Sequence, residues 1–282
     1  MIRRLAIVGV GLLGGSVARA ARAHAIAGQI VGIGRDPDRL APALADGTLD
    51  RAVTDVAEGV RDADLVVLAA TVLANEALLP QVWRHVPDGA LVTDVGSTKN
   101  GIVRAAERLA ATRRVAFVGS HPMAGSERSG YAVARADLFR GALVVVTPTD
   151  ATEPRAVKAV TEFWEAIGAR VSVLDPETHD RAVAAISHLP HVVAWALMDA
   201  VARFEPAALD IAARGFKDTT RIAASDPAMW RDILVDNADA VLATLGGFRR
   251  ALDEIERLVA ARDGAGLEAA LARIKASREG LR

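Results

Sequence analysis

The two halves of the chain differ in their pattern of apolar and polar positions. In the first half, short apolar runs alternate with longer segments in which apolar residues recur three and four positions apart. The runs cover residues 5–8, 30–33, 65–68, 90–93, 115–118 and 143–146, and the helical pattern is clear over residues 17–26 and 102–109. Continuous apolar runs are typical of strands buried on both faces of a parallel sheet. The alternation therefore predicts a doubly wound, parallel α/β sheet.

The second half of the chain shows only helical patterns. A further helix over residues 153–167 and a strand over residues 170–174 extend the first half. Beyond them, residues 251–261 and 267–274 carry apolar positions at i, i+3, i+4 and i+7 with charges between. We predict an all-helical segment from the end of the last strand onward.

This change in pattern predicts a domain boundary near residue 174. A dinucleotide-binding domain would then cover residues 1–174, and a helical substrate-binding and dimerisation domain would cover residues 175–282. The long apolar helix over residues 192–201 is compatible with burial against a second subunit and equally with burial in the core of its own domain.

The composition is that of an ordinary globular protein, with 51% hydrophobic and 24% charged residues. Lys and Arg number 34 against 35 for Asp and Glu, so the chain lacks the basic excess of a nucleic-acid-binding protein. The sequence has no cysteine, which excludes disulfides and thiolate metal ligands and fits a reducing cytoplasm. Glycines interrupt the apolar N-terminal run, and no segment approaches the roughly 18 uncharged apolar residues of a membrane helix. We therefore expect a cytoplasmic protein without a metal, nucleic acid or membrane partner.

A glycine-rich turn follows the first apolar run and opens a helical pattern. It reads Gly9-Val-Gly11-Leu12-Leu13-Gly14. The first glycine allows a tight turn, the second lets a pyrophosphate approach the backbone, and the third lets the helix pack on the strand. Free amides at the helix start, together with the helix dipole, favour the negative charge of the phosphate. Because strand and helix flank the turn in the required order, it predicts a Rossmann-type dinucleotide site.

The end of the second apolar run bears on the choice between NAD and NADP. An acidic residue there would bind the ribose hydroxyls, whereas a small residue followed by Arg accepts a 2′-phosphate. Gly34 occupies the place of the acid and Arg35 follows it, which favours NADP. Asp36 is near enough for a shifted loop to restore NAD binding, and Arg35 and Arg39 are also compatible with simple solvation.

Two polar segments follow apolar runs, at the sheet edge where ligands gather in open parallel sheets. The first is DVGSTK at residues 94–99, in which Ser97 is a candidate for chemistry or, alternatively, a cap that satisfies a helix-start amide. The second is GSHPMAGSE at residues 119–127, in which Pro122 and glycines predict a loop around His121. A largely neutral histidine in such a loop can accept a proton, although a histidine taken alone is more often structural.

Candidate ligands for an anion lie in the helical half. The segment SHLPH covers residues 187–191, and GFKDTTR covers residues 215–221 with Lys217 and Arg221 on one helix face at i and i+4. Two adjacent cations without a facing acid favour an anionic ligand such as a carboxylate, although a solvated surface pair also fits the spacing. The other histidines are interpreted as surface or structural residues: His24, His85 and His179.

Taken together, these segments resemble one enzyme family. The order GVGLLGGS, DVGSTK, GSHPMAGSERSG, SHLPH and GFKDTTRIAASDPAMW closely resembles the prephenate/arogenate dehydrogenases of tyrosine biosynthesis, over nearly the whole chain. The resemblance implies oxidative decarboxylation of prephenate or arogenate to 4-hydroxyphenylpyruvate or tyrosine, with hydride transfer to NAD or NADP. It also implies a homodimer formed through the helical domain. The preferred substrate stays open.

The resemblance also carries roles onto individual residues. His121 matches the catalytic histidine of the family, which accepts the proton of the substrate's C4 hydroxyl. Ser97 matches a serine that hydrogen-bonds this histidine and the substrate, and Arg221 matches the arginine that holds the ring carboxylate. The further substrate-binding candidates are Lys217, His191 and His188.

Two other functions fit parts of the sequence. A β-hydroxyacid dehydrogenase would share the two-domain layout, but it uses a central lysine in another context and lacks the HPMAG and KDTTR segments. A catalytically silent nucleotide sensor would have no use for His121, Ser97, Lys217 and Arg221 together. The segments therefore favour the prephenate/arogenate reaction over both.

Overall fold

In a computed structural model, which describes residues 2–126 and 128–281, eight strands form a single sheet. The strands are β1 (Ile2–Val8), β2 (Ala27–Ile33), β3 (Arg51–Val53), β4 (Leu65–Leu68), β5 (Leu91–Asp94), β6 (Ala116–Pro122), β7 (Leu143–Thr147) and β8 (Arg170–Val173). Each apolar run of the sequence coincides with or overlaps one of these strands. The short strand β3 was not predicted, because its three residues are exposed or half-buried and form no apolar run.

The strand order is β3-β2-β1-β4-β5-β6-β7-β8. The parallel sheet that the sequence predicts is confirmed for β1 to β6. Strand β7 instead pairs antiparallel with β6, and β8 lies parallel to β7. A parallel neighbour needs a crossover connection, usually a helix. In the described part of residues 123–142, the only helical stretch is a short 3₁₀ turn, Tyr131–Val133, so the chain returns in the opposite direction.

Helices cover both faces of the sheet and make up the rest of the chain. Those that alternate with the strands are α1 (Leu12–Ala23), α2 (Pro37–Ala45), α3 (Val56–Val60), α4 (Val72–His85), α5 (Asn100–Ala110) and α6 (Pro154–Ala166). Those that follow the last strand are α7 (Pro176–Val183), α8 (Leu189–Phe204), α9 (Arg214–Thr220), α10 (Pro227–Asp236), α11 (Ala238–Ala260) and α12 (Gly264–Glu279).

The hydrophobic core lies on both faces of the sheet, because successive side chains of a strand point to opposite faces. In β1, Leu5 and Ile7 belong to a cluster that α1 and α6 cover. Ala6 and Val8 belong to a second cluster, which α4 and α5 cover. Burial on both faces explains why the sequence shows continuous apolar runs rather than an alternating pattern.

By its contacts, the chain forms two compact units, Met1–Asn237 and Ala238–Arg282. In the first unit, helices that follow the last strand pack with the sheet domain: α10 lies against α4, and α7 lies against α5. In the second unit, α11 packs with α12, and Leu258 and Ala270 are buried. The functional boundary near residue 174 stays a prediction.

Among the described residues, one helical run is long and apolar enough to cross a membrane by length and composition alone. This run, Pro176–Phe204, leaves most of its apolar window exposed in the single chain. Ile186 and Phe204, for example, are 68% and 77% exposed. A helix at a subunit interface or in a protein core passes the same test, so the run is weak evidence for a membrane span.

Candidate active site

The glycine turn after β1 has the geometry of a phosphate-binding turn. Gly9 has φ +97°, and a Cβ there would lie 2.7 Å from a backbone carbonyl oxygen that follows β4. A Cβ on Gly14 would lie 2.0 Å from the oxygen of Gly9, so this glycine lets α1 approach β1 closely. Gly11 instead borders open space, and α1 begins directly after it with Leu12 and Leu13. The unpaired amides of a helix start therefore face a space that can accept a pyrophosphate.

The residues after β2 are arranged around the start of α2. The amide of Gly34 donates to a carbonyl oxygen of β3 at 3.1 Å. The carboxylate of Asp36 caps α2 by accepting a backbone amide at 3.0 Å, and its other oxygen lies 3.4 Å from Nε of Arg39. Arg35 is exposed at the end of the strand. Asp36, which the sequence offers to a ribose, is thus engaged in starting a helix.

His121 lies inside β6, where it pairs with Val145 of β7. The sequence predicts a loop at this point, and that prediction was wrong because β7 continues the ladder past the expected end of the strand. Nδ1 of His121 lies 2.9 Å from Nε2 of His179, and Nδ1 of His179 lies 2.8 Å from Oδ1 of Asp180. The three side chains form one hydrogen-bonded row.

The interpretation of His179 as a surface or structural residue misses this row. The imidazole is only 1% exposed, and it meets the ring of His121 edge-on with centroids 5.1 Å apart. In the sequence, His179 and Asp180 stand in a short helix that Asp175 caps. That local pattern gives no sign of a partner 58 positions away.

The carboxylate of Asp180 also starts α5. Oδ1 accepts the backbone amide of Lys99 at 2.8 Å, and Oδ2 accepts that of Asn100 at 2.8 Å. These bonds overturn the alternative that Ser97 caps this helix. Burial alone would raise the pKa of Asp180, but the hydrogen bonds from His179 and the amides outweigh burial and lower that pKa. Asp180 is therefore an anion at neutral pH.

A buried ion pair lies beneath the site. The ammonium of Lys99, which is completely buried, pairs with the carboxylate of Asp94. It also donates to the carbonyl oxygen of Ser120 at 2.9 Å. Asp94 in turn accepts the amides of Gly96 at 2.8 Å and of Ser120 at 3.1 Å. The pair thus ties the turn after β5 to the residue that precedes His121.

His121 is neutral at physiological pH. Burial is the main cause of a pKa well below the usual value of the group, and coulombic interactions with His179, Lys99 and His188 lower it further. Only a neutral imidazole has the free lone pair that accepts a proton. The site therefore presents a base at the end of the sheet that also carries the glycine turn.

Two further histidines of the sequence prediction lie on the helices of the same unit. His188 is buried, and its Nδ1 lies 3.2 Å from the side-chain amide nitrogen of Asn237. Burial lowers the pKa of His188 to about 4. Nδ1 of His191 lies 2.9 Å from the carbonyl oxygen of Ser187, and its ring stacks on Trp230.

The cationic segment of the sequence prediction spans two elements. Lys217 lies in the last turn of α9, whereas Arg221 begins a 3₁₀ turn, Arg221–Ala224, so the two do not share one regular helix face. Asp218 of α9 accepts a hydrogen bond from Nε of Arg214 at 3.2 Å. Burial is the main cause of a lowered pKa of His191, and the charge of Arg221 lowers it further.

Two family models match this chain. The model "Prephenate dehydrogenase, nucleotide-binding domain" matches residues 17–173, and the model "Prephenate dehydrogenase, dimerization domain" matches residues 175–273. The chain belongs to the prephenate dehydrogenase family.

Relatives of this family cover almost the whole chain. A prephenate dehydrogenase of Bacillus subtilis is 36% identical over 98% of this chain and 75% of its own length. A cyclohexadienyl dehydrogenase of Zymomonas mobilis is 32% identical over 94% of this chain and 91% of its own length. A solved prephenate dehydrogenase from Aquifex aeolicus, in complex with hydroxyphenyl propionate and NAD+, superposes with a TM-score of 0.92 at 34% identity. That match covers 99% of this chain and 98% of the other.

The rival interpretation as a β-hydroxyacid dehydrogenase is not supported. A 3-hydroxyisobutyrate dehydrogenase from Salmonella typhimurium superposes with a TM-score of 0.61 at 16% identity. At that identity the likeness concerns the fold alone. The family assignment therefore rests on the prephenate dehydrogenase matches, which extend through both halves of the chain.

The predicted site residues all lie in the unit Met1–Asn237. Ser97 is half-buried in the turn after β5, and among residues 2–126 and 128–281 its hydroxyl makes no hydrogen bond to His121. The partner of His121 that the structure does show is His179. Lys99, the last residue of the DVGSTK motif, is the buried cation that acts on His121.

Proposed function

We propose that this chain catalyses the NAD(P)-dependent oxidative decarboxylation of prephenate or arogenate. The observation that carries the proposal is His121, a neutral base at the edge of the sheet that bears the nucleotide-binding turn. Bound NAD(P) would supply the acceptor for the hydride that leaves C4 of the substrate ring. His121 accepts the proton of the C4 hydroxyl through Nε2, and the ring carboxylate leaves as CO2 as the ring becomes aromatic.

The other residues bind and orient the substrate. Arg221 and Lys217 are the cations for its carboxylates, since a guanidinium suits a carboxylate in two-point contact. His191, held by its stack on Trp230, contributes a further ring nitrogen toward the same region, and His188 lies behind it. Ser97 stands in the turn after β5, from which a substrate hydroxyl beside His121 is a suitable partner.

The comparisons support this reaction class without separating its two substrates. Relatives are named prephenate dehydrogenase in Bacillus subtilis and arogenate dehydrogenase in Synechocystis. The test is NAD(P)H formation by the purified chain with prephenate, with arogenate and with 3-hydroxyisobutyrate. Turnover with either of the first two supports the proposal. Turnover with 3-hydroxyisobutyrate alone, or with none, contradicts it.

For the cofactor, we propose a preference for NADP over NAD. Gly34 places no acid at the end of β2, Arg35 offers a cation for a 2′-phosphate, and Asp36 is engaged in capping α2. We expect a higher kcat/KM with NADP than with NAD, and we expect Arg35→Ala to reduce it with NADP only. A higher kcat/KM with NAD for the unmodified chain would overturn the preference and leave the reaction untouched.

For the assembly, we propose a cytoplasmic homodimer formed through the helical half. Large apolar residues are exposed on these helices in the single chain, among them Phe204 at 77%, Ile211 at 84% and Leu242 at 64%. Exposed apolar surface of this extent is typical of an interface. Light scattering coupled to size exclusion should give twice the mass of one chain, and a monomer at micromolar concentration would contradict the proposal.

A further inference from the structure

A buried row of side chains leads from the catalytic base into the protein. It runs from His121 to His179 to Asp180, with contacts of 2.9 Å and 2.8 Å. Beyond Asp180, the row ends on the backbone amides of Lys99 and Asn100. Both His179 and Asp180 are almost completely excluded from solvent. A polar row in such surroundings is stable only if each donor faces an acceptor.

That condition fixes the protons of the row. The carboxylate of Asp180 only accepts, so Nδ1 of His179 must carry a proton and donate it. A neutral His179 then has its lone pair on Nε2, so Nδ1 of His121 must be the donor in the contact between the rings. The lone pair of His121 consequently lies on Nε2, the nitrogen left for the substrate.

The row also offers a proton a position in direct contact with a carboxylate. The surroundings of His121 disfavour its charged form, first through burial and then through coulombic interactions with His179 and Lys99. His179 differs in one respect, because its Nδ1 directly contacts the carboxylate of Asp180. An imidazolium at that position forms a buried ion pair, in which the attraction is strong because the dielectric is low.

We propose that His179 is a positioning residue that relays the proton of the substrate, with Asp180 as its counter-ion. This rests on the proposed function of His121 as the base. When Nε2 of His121 gains the hydroxyl proton, its Nδ1–H bond breaks and an Nε2–H bond forms on His179. His121 ends neutral, His179 ends as an imidazolium beside Asp180, and all protons are accounted for.

Other charged groups face this row from the elements around it. Lys99, at the start of α5, and His188, before α8, both act on His121. Asp236, at the end of α10, interacts with Asp180 at the other end of the row. Burial raises the pKa of Asp236, and the charge of Asp180 raises it further. These groups stay in place in the variants below, so their contribution is common to all of them.

Two substitutions of His179 separate the relay from simple positioning. In His179→Gln, the side-chain oxygen can still accept the Nδ1 proton of His121, but the amide cannot become protonated. We expect kcat to fall about ten-fold, with the KM of the substrate unchanged. His179→Phe loses the acceptor as well, and we expect a fall of about a hundred-fold or more. His85→Gln, on the outer helix α4, is the control and should keep full activity.

The pH dependence of kcat/KM also tests the relay, because a purely structural role of His179 would leave it unchanged. Activity requires an unprotonated base, so kcat/KM falls at acidic pH. Without His179 the base loses the help of the Asp180 carboxylate and binds a proton less readily. The acid limb of His179→Gln should therefore shift to lower pH. An unmoved limb, or full activity in both His179 variants, would overturn the relay.

The relay can also be tested by a measurement that needs no turnover. Its result is independent of whether the chain oxidises prephenate or arogenate. With only six histidines in the chain, nitrogen-15 NMR can assign the tautomer of each ring. We expect the Nδ1–H tautomer for His121 and His179 in the resting enzyme, and loss of it for His121 in His179→Phe. An Nε2–H tautomer of His121 in the unmodified chain would overturn the relay even if prephenate is oxidised. Failure of both substrates with the expected tautomers would overturn only the assigned reaction.

Discussion

The imidazole of His191 stacks on the indole of Trp230, with ring centroids 3.7 Å apart and planes inclined by 30°. Trp195 meets Trp230 edge-on at 5.3 Å, and Ile233 packs against the same indole in a small apolar cluster. Because Nδ1 of His191 donates to the carbonyl oxygen of Ser187, Nε2 is the nitrogen left for a ligand. The stack therefore fixes the orientation of the ring nitrogen that we propose contacts the substrate.

Removing the stack should affect substrate binding as well as stability. In Trp230→Leu, we expect a several-fold rise in the KM of the substrate, because the ring of His191 loses its support. The free energy of unfolding should fall by about 2 kcal/mol, somewhat less than for a Trp-to-Ala change. Trp83→Leu, at the far end of α4, is the control with similar burial. It should destabilise the chain without changing the KM, and equal KM values in both variants would contradict the assignment.

Replacing the base should act on turnover rather than on binding. We expect His121→Asn to lower kcat by about 10²–10⁴-fold with a modest change in KM, because general-base catalysis typically contributes that much. Steady-state kinetics with saturating cofactor check this. A variant that keeps nearly the full kcat would show that another group accepts the proton.

Arg221 should act mainly on substrate binding. For Arg221→Ala we expect a raised KM for prephenate or arogenate, with little change in the KM of the cofactor, because the guanidinium is expected to hold a substrate carboxylate. Arg214→Ala removes an exposed arginine that pairs with Asp218 on α9, and it should leave both KM values unchanged. A rise confined to the KM of the cofactor would mean that Arg221 binds the cofactor and not the substrate.

The buried pair of Lys99 and Asp94 should matter most for stability. In Lys99→Met the carboxylate stays buried without its cation, and breaking such a pair typically costs about 3–5 kcal/mol. We expect a fall of that size in the free energy of unfolding, measured by denaturant titration. The double variant Asp94→Asn/Lys99→Met should recover part of it, since no uncompensated charge remains. Additive losses would mean that the two groups do not act as a pair.

His188 should make stability depend on pH. Its pKa in the folded chain is lowered to about 4, mainly by burial, whereas the unfolded chain titrates near the usual 6.5. The unfolded chain therefore binds more protons between these values, and stability falls as the pH drops from about 6.5 towards 4. The expected loss is about 3 kcal/mol. Denaturant titrations near pH 7 and near pH 4.5 should show a smaller loss in His188→Gln, and an equal loss would contradict the assignment.

Much of the sheet and of the nucleotide turn could be predicted because their causes are local. A strand that is buried on both faces needs a continuous apolar run, as in residues 65–68, and this run stands unchanged in the printed sequence. The turn at Gly9 needs a positive φ, which glycine adopts without strain. The candidate residues His121 and Arg221 came from motifs, through resemblance to a family, and not from any pattern of burial.

Tertiary structure alone decided how those residues are connected. The sequence has no marker for the reversed direction of β7, which extends β6 and places His121 inside a strand. It also has no marker for the hydrogen bonds between Asp180 and the start of α5. The two amides that Asp180 accepts lie 81 and 80 positions before it in the sequence. Patterns of propensity and periodicity act over a few residues, whereas a buried carboxylate takes whichever donors the packing of distant elements brings to it. The sequence was therefore enough to predict His121 as the candidate base, whereas the fold decided which side chains contact it.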